Sequence, residues 1–136
     1  MKTFAATPGD FRAACAVPAP PAVRRAIAQF NAGEYFECHD TLEAFWLQEP
    51  GPIRDLYKGV IQIAAGLHHW GNGNKRGCLK LLSRGIDYAG RYAPRCQSLD
   101  VAALIAAARR ALDWAEAAEP GTALPPELTP RILLAD

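Results

Sequence analysis

The side chains most suited to chemistry lie in one stretch, Tyr35-Phe36-Glu37-Cys38-His39-Asp40-Thr41-Leu42-Glu43-Ala44-Phe45-Trp46. His39 and Glu43 are four apart, so on a helix they stand one turn from each other. On a wheel of 3.6 residues per turn, Tyr35, His39, Leu42 and Trp46 fall within about 60°, and Glu43 lies about 40° beyond His39. This reading sets two ionisable side chains inside the apolar arc and leaves Glu34, Glu37, Asp40, Thr41 and Gln48 on the wet face. An unpaired buried charge is costly, so the pair needs partners.

Three arrangements meet that need. In the first, His39 and Glu43 are two ligands of a divalent transition metal, as in zinc helices with one histidine replaced by a carboxylate, and His69 supplies the third. Gln62 then supports the ligands from outside. In the second, no metal is required: His39 is a general base or acid and Glu43 orients it, around a pocket for a small molecule. In the third, His39, Glu43, Gln62 and the Trp46 indole N–H satisfy one another in a sealed polar network. Tyr35, Trp46, Gln62, His69 and Asn74 are the side chains expected to complete a ligand pocket. His68 is the next candidate for that third ligand, though its place in an apolar stripe argues for packing. Cys38 points about 100° away from His39 and reads as a small packed residue.

Helices must position these groups, and the pattern supplies them. About Ala22 to Asn31 forms a first helix, with Pro21 near its start, Val23, Ile27 and Phe30 as its stripe, and Gly33 as its stop. The second, about Glu34 to Gln48, ends before Pro50-Gly51-Pro52. The third, about Pro52 to Trp70, has Ile53, Leu56, Tyr57, Val60, Ile61, Ala64 and Leu67 on one face. Gly59 and Gly66 flank Gln62 on the other face. Two glycines inside a helix cost about 1 kcal/mol each, which close approach of another backbone offsets, drawing Gln62 and His69 into the contact. Asn74 caps a fourth helix running to about Tyr92, with Leu81, Leu82, Gly85 and Ala89 inward and a basic stripe of Arg76, Lys80, Arg84 and Arg91 outward. Ser98 or Asp100 caps the last, through about Ala118. No strand pattern and no internal repeat is visible. The expected fold is all-α, a single-domain bundle of about five helices over 21–119. A stiff, extended Pro-rich lead-in over 1–20, docked by Phe4 and Phe11, precedes it, and an irregular tail over 120–136 follows.

The chain has 136 residues, half of them hydrophobic, and a net charge of +1. That suits one compact domain and gives no bulk attraction to nucleic acid or anionic membrane. The apolar runs are too short to span a bilayer, and Met1 to Phe11 does not read as a secretory signal. Cys15, Cys38, Cys78 and Cys96 form no Cys-x-x-Cys pair and read as reduced thiols in the cytoplasm. Gly71 to Gly77 lacks the strand and the Gly-Lys-Ser/Thr ending of a phosphate loop and reads as a turn. The basic stripe reads as a solvated face. With the acidic face of Glu34, Glu37 and Asp40, it is an argument for self-association as a homodimer.

With His39, Glu43 and Trp46 in place, the chain resembles the domain of unknown function 309 family, marked by His-x-x-x-Glu-x-x-Trp. Phe30 to Phe36 matches the run before that motif. Gly59-Val60-Ile61-Gln62, His69 and Gly73-Asn74-Lys75-Arg76-Gly77-Cys78 resemble the family's second block. The resemblance covers about Phe30 to Asp100. Asp40 stands where Glu is common and Cys78 where Ala is common. The resemblance implies a small helical fold and carries no established activity.

Overall fold

A computed structural model describes residues 8–134, with side chains from residue 12 onward. Among them are six α-helices, α1 (Pro8–Ala16), α2 (Pro21–Asn31), α3 (Tyr35–Leu47), α4 (Arg54–Gly71), α5 (Lys75–Gly90) and α6 (Val101–Ala117). A two-stranded hairpin, β1 (Arg95–Cys96) and β2 (Leu99–Asp100), joins α5 to α6, and one 3-10 turn (Pro126–Leu128) lies in the tail. Five of these helices are the bundle expected from the periodicity.

Glycine ends two of them in the same way. Gly33 (φ 80°) and Gly73 (φ 76°) take up left-handed backbone after α2 and α4. Gly33 N–H donates to Phe30 O (3.0 Å) and Glu34 N–H to Gln29 O (2.9 Å); Gly73 N–H donates to Trp70 O (3.0 Å) and Asn74 N–H to His69 O (2.8 Å). This paired closure uses up the last helical carbonyls and turns the chain sharply back. Asn74 then caps α5 by accepting from Gly77 N–H (3.0 Å), and Asp100 caps α6 by accepting from Ala103 N–H (2.9 Å).

The α4–α5 contact is the tightest in the bundle. A Cβ on Gly59 would meet Ala89 N at 2.6 Å and Gly85 O at 2.9 Å, and one on Gly85 would meet Gly59 O at 2.7 Å. At Gly66 it would lie 3.2 Å from Leu82. Gly59 and Gly66 of α4 thus do admit a second backbone, as their spacing predicts. Ile63, rather than Gln62, is the side chain between the helices: it is fully buried, whereas Gln62 and His69 are only half-buried. The other face of α4 meets α3, which runs antiparallel to it. Phe36 lies over His68 (ring centroids 5.7 Å), Phe45 meets Tyr57 edge-on (5.2 Å), and the Arg54 guanidinium covers the Trp46 ring at 3.9 Å.

Three expectations are corrected. The lead-in contains a helix, α1, where an extended segment was expected; docking by Phe4 and Phe11 lies outside the described residues and side chains. Cys15 and Cys96 are joined in a disulfide across 81 residues of sequence, so two of the four thiols are not free. Cys38 and Cys78 remain buried, free thiols. The chain does form strands, though of two residues each, paired Arg95 to Asp100 and Cys96 to Leu99. Gln97 (φ 49°) and Ser98 (φ 68°) make the turn between them, with the two left-handed residues a tight hairpin needs. Gln97 is buried and ties these features together. It accepts from the Tyr57 hydroxyl, donates through Nε2 to Ala14 O (3.0 Å) and through its backbone N–H to Cys15 O (2.8 Å). The end of α1 is therefore held by side chains and carbonyls that no local pattern reports.

The tail is irregular, as expected, but firmly held. Lys75 Nζ donates to Glu116 O (2.9 Å) and Ala118 O (2.8 Å), placing a cation at the negative end of α6. Trp70 Nε1–H donates to Thr122 O (2.8 Å). Asn31 exchanges two hydrogen bonds with the Ile132 backbone (2.8 and 2.9 Å), and Leu134 pairs with Leu99. Ile132 is fully buried. Among the described residues, no helix is long and apolar enough to cross a membrane.

Candidate functional site

Helix α3 buries Cys38 and Leu42, with Phe45 beside them, and exposes Phe36, Glu43 and Leu47. The buried arc is rotated by about 60° from the wheel reading, away from Glu43 and towards Cys38. The cause is that apolar side chains occur all round this helix. Phe45 engages Tyr57, the Cys38 thiol needs no partner, and a carboxylate at Glu43 is cheaper left in water. Burial pushes the Cys38 thiol up to about 12 and the Cys78 thiol up to about 11, so neither is a nucleophile near neutral pH.

His39 stays at the edge of the new arc, one third exposed, and its nearest carboxylate is Asp40, with Nδ1 3.5 Å from Oδ1. That contact is outside hydrogen-bond geometry, and Nδ1 is buried without a hydrogen-bond partner. Nε2 is neither hydrogen-bonded nor among the buried polar atoms, so it is the nitrogen that solvent or a ligand reaches. Trp46 Nε1 and Gln62 Oε1 are also buried without hydrogen-bond partners. The sealed network among His39, Glu43, Gln62 and Trp46 is therefore not formed.

The structure gathers a different group. Tyr35, Phe36 and His39 of α3 face Ala65, His68 and His69 of α4 across a cleft of about 180 Å³. All three histidines of the sequence line it. His68 belongs here rather than to the core, because the antiparallel α3 brings Phe36 over its ring. Glu43, Trp46, Gln62 and Asn74 do not line the cleft. Asn74 acts from behind it: Nδ2 lies 3.1 Å from His69 Nδ1. Asn72 makes the equivalent contact to His68 Nε2 at 3.2 Å. No three His, Cys, Asp or Glu side chains among the described residues are grouped as metal ligands, so His39, Glu43 and His69 do not converge.

The hydrogen bonds also assign a tautomer. Asn74 Oδ1 is committed to Gly77 N–H, which leaves Nδ2 to donate to His69 Nδ1. Neutral His69 therefore carries its proton on Nε2, as a donor towards the cleft. Burial raises the Tyr35 hydroxyl above the usual tyrosine value, with the nearby Cys38 thiol adding to the effect, so it too is a neutral donor at physiological pH. The cleft combines hydrogen-bonding nitrogens with aromatic walls, and no carboxylate lines it.

A second hollow of about 370 Å³ begins on the other side of Tyr35, walled by Leu67, Trp70 and the tail from Gly121 to Leu124. Its Trp70 wall is fixed by the bond to Thr122 and by an edge-on contact with Trp114 (5.2 Å). Of these features, the sequence reading found His39, His69 and Tyr35. It set His68 aside as packing and missed Phe36; the usable signal was that Phe36 and His39, three apart, share a face of one helix.

Residues 23–81 match the family described as domain of unknown function (DUF309). A 62-residue stretch is 37% identical to the uncharacterized protein YpuF of Bacillus subtilis (strain 168), covering 44% of this chain and 36% of that protein. The chain thus spans about a third of the length of the curated relative it matches. The matched residues run from α2 into α5 and include every side chain of the histidine cleft. The chain carries a DUF309 domain over residues 23–81.

Proposed function

We propose that this protein binds a small organic molecule and that the cleft between α3 and α4 is its binding site. The observation behind this reading is that both His39 and His69 line one cleft, each with a ring nitrogen free for a ligand. A purely structural role gives no reason for both of those nitrogens to be left without a partner beside one cleft. Phe36 and Tyr35 supply apolar walls, and His69 supplies a donor of fixed tautomer. Asp40, rather than Glu43, is the carboxylate that acts on His39.

Histidine ring resonances followed by NMR, during titration with small organic acids, amides and alcohols, test the reading. At least one class is expected to shift His39 and His69 together at the same midpoint. Glu43→Gln is expected to leave that midpoint unchanged, because Glu43 lies outside the cleft, and Asp40→Asn to move it. Independent responses of the two rings, or none to any class, would rule the cleft out as a binding site.

A further inference from the structure

The histidine cleft alone holds about 180 Å³, below the roughly 300–1,000 Å³ usual for small-molecule pockets. Its neighbour beyond Tyr35 adds about 370 Å³. The two share the Tyr35 side chain, and Leu67 lines one hollow directly beside His68 of the other on α4. Joined, they reach the usual range. The chemistry of the two halves differs: one end presents imidazole nitrogens, the other presents Leu67, Trp70 and Leu124 with no charged side chain. No Asp or Glu lines either hollow.

We infer that the two hollows form one site for a carboxylic acid with an apolar body, its carboxylate between His39 and His69 and its hydrocarbon passing over Tyr35 to Trp70 and Leu124. This rests on the ligand-binding reading above and names the ligand class. His69 donates through Nε2. His39 presents its accessible Nε2 from the facing helix, with Asp40 beside Nδ1. Gly71 and Gly121 line the far hollow, and an added Cβ at either would meet nothing within 4 Å.

Octanoate, acetate and octanol, each titrated against the full chain by calorimetry with histidine NMR in parallel, separate the possibilities. Burying methylenes contributes about a fourfold affinity gain apiece. Octanoate is therefore expected to bind at least tenfold more tightly than acetate, and the charged head makes it at least tenfold tighter than octanol. His69→Ala is expected to weaken octanoate about tenfold. Gly71→Leu, which fills the far hollow from an unobstructed position, is expected to remove the advantage of octanoate over acetate while leaving the acetate shifts of His39 and His69 intact. Equal binding of acetate and octanoate overturns the joined site but leaves the histidine cleft standing. Octanol binding as well as octanoate overturns the carboxylate assignment. No coupled histidine shift with any organic acid, amide or alcohol overturns both readings.

Discussion

The Asn74 amide cannot turn over without losing the cap of α5, because its Oδ1 is what accepts the Gly77 N–H. That constraint passes to His69, whose Nδ1 must then accept from Nδ2. Asn74→Asp separates the two roles. A carboxylate caps a helix as well as an amide does, so stability is expected to change by less than about 0.5 kcal/mol. It has no proton to donate, however, and the His69 proton is expected to move from Nε2 to Nδ1, visible in the nitrogen-15 shifts of the ring. Asn74→Ala, which loses the cap as well, is expected to cost about 1 kcal/mol. An unchanged tautomer in the Asp variant would show that something other than Asn74 sets it. The sequence reading named Asn74 as a cap and His69 as a site residue, but the hydrogen bond between them depends on the Gly73 turn folding the chain back. His39 shows the opposite limit. Its neighbouring carboxylate could be read as Asp40 rather than Glu43 only if the burial direction of α3 were known, and Phe36 and Leu47, both exposed, blur that direction.

At the scale of elements, the α4–α5 pair shows how a locally unfavourable residue becomes necessary. Gly59 in mid-helix costs about 1 kcal/mol of propensity relative to Ala. Gly59→Ala would recover that and still drive a methyl into Ala89 N and Gly85 O, both backbone atoms that cannot swing aside. The net expectation is a loss of about 1–3 kcal/mol, measured by urea unfolding. Gly71→Ala is the control, a glycine at the end of the same helix with open space around it, and is expected to be neutral or stabilising by up to about 1 kcal/mol. A Gly59 variant as stable as the wild type would mean that the helices separate easily. The helices α2, α4, α5 and α6 were legible because each repeats its apolar residues at one period against a single core. Helix α1 was not: its hold comes from Gln97 and Cys96, more than eighty residues away. The hairpin was not legible either, since strands of two residues carry no period.

Over the whole molecule, long-range ties close the bundle, the Cys15–Cys96 disulfide and the Asn31–Ile132 hydrogen bonds among them. The core they enclose holds ionisable groups that are stable only while neutral: the Cys38 and Cys78 thiols and the Tyr57 hydroxyl, all raised by burial. A thiol whose folded pKa is raised contributes stability below the unfolded value, here 9.0, and loses it as pH climbs towards the folded value. In that window the unfolded chain has given up a proton that the folded chain keeps, so unfolding becomes easier with each step in pH. For Cys38 the window runs from 9.0 to about 12, with a slope approaching about 1.4 kcal/mol per pH unit. Unfolding free energy is therefore expected to be flat, as far as these groups decide it, between pH 7 and 8 and to fall steeply above 9. Cys38→Ala removes one contributor. It is expected to be less stable than the wild type at pH 7, from the small cavity it leaves, and to close that gap by pH 10.5 because its own decline is shallower. If the two curves instead stay parallel across that range, Cys38 ionises as readily in the folded chain as in the unfolded one, and the centre of the α3 face is open to water.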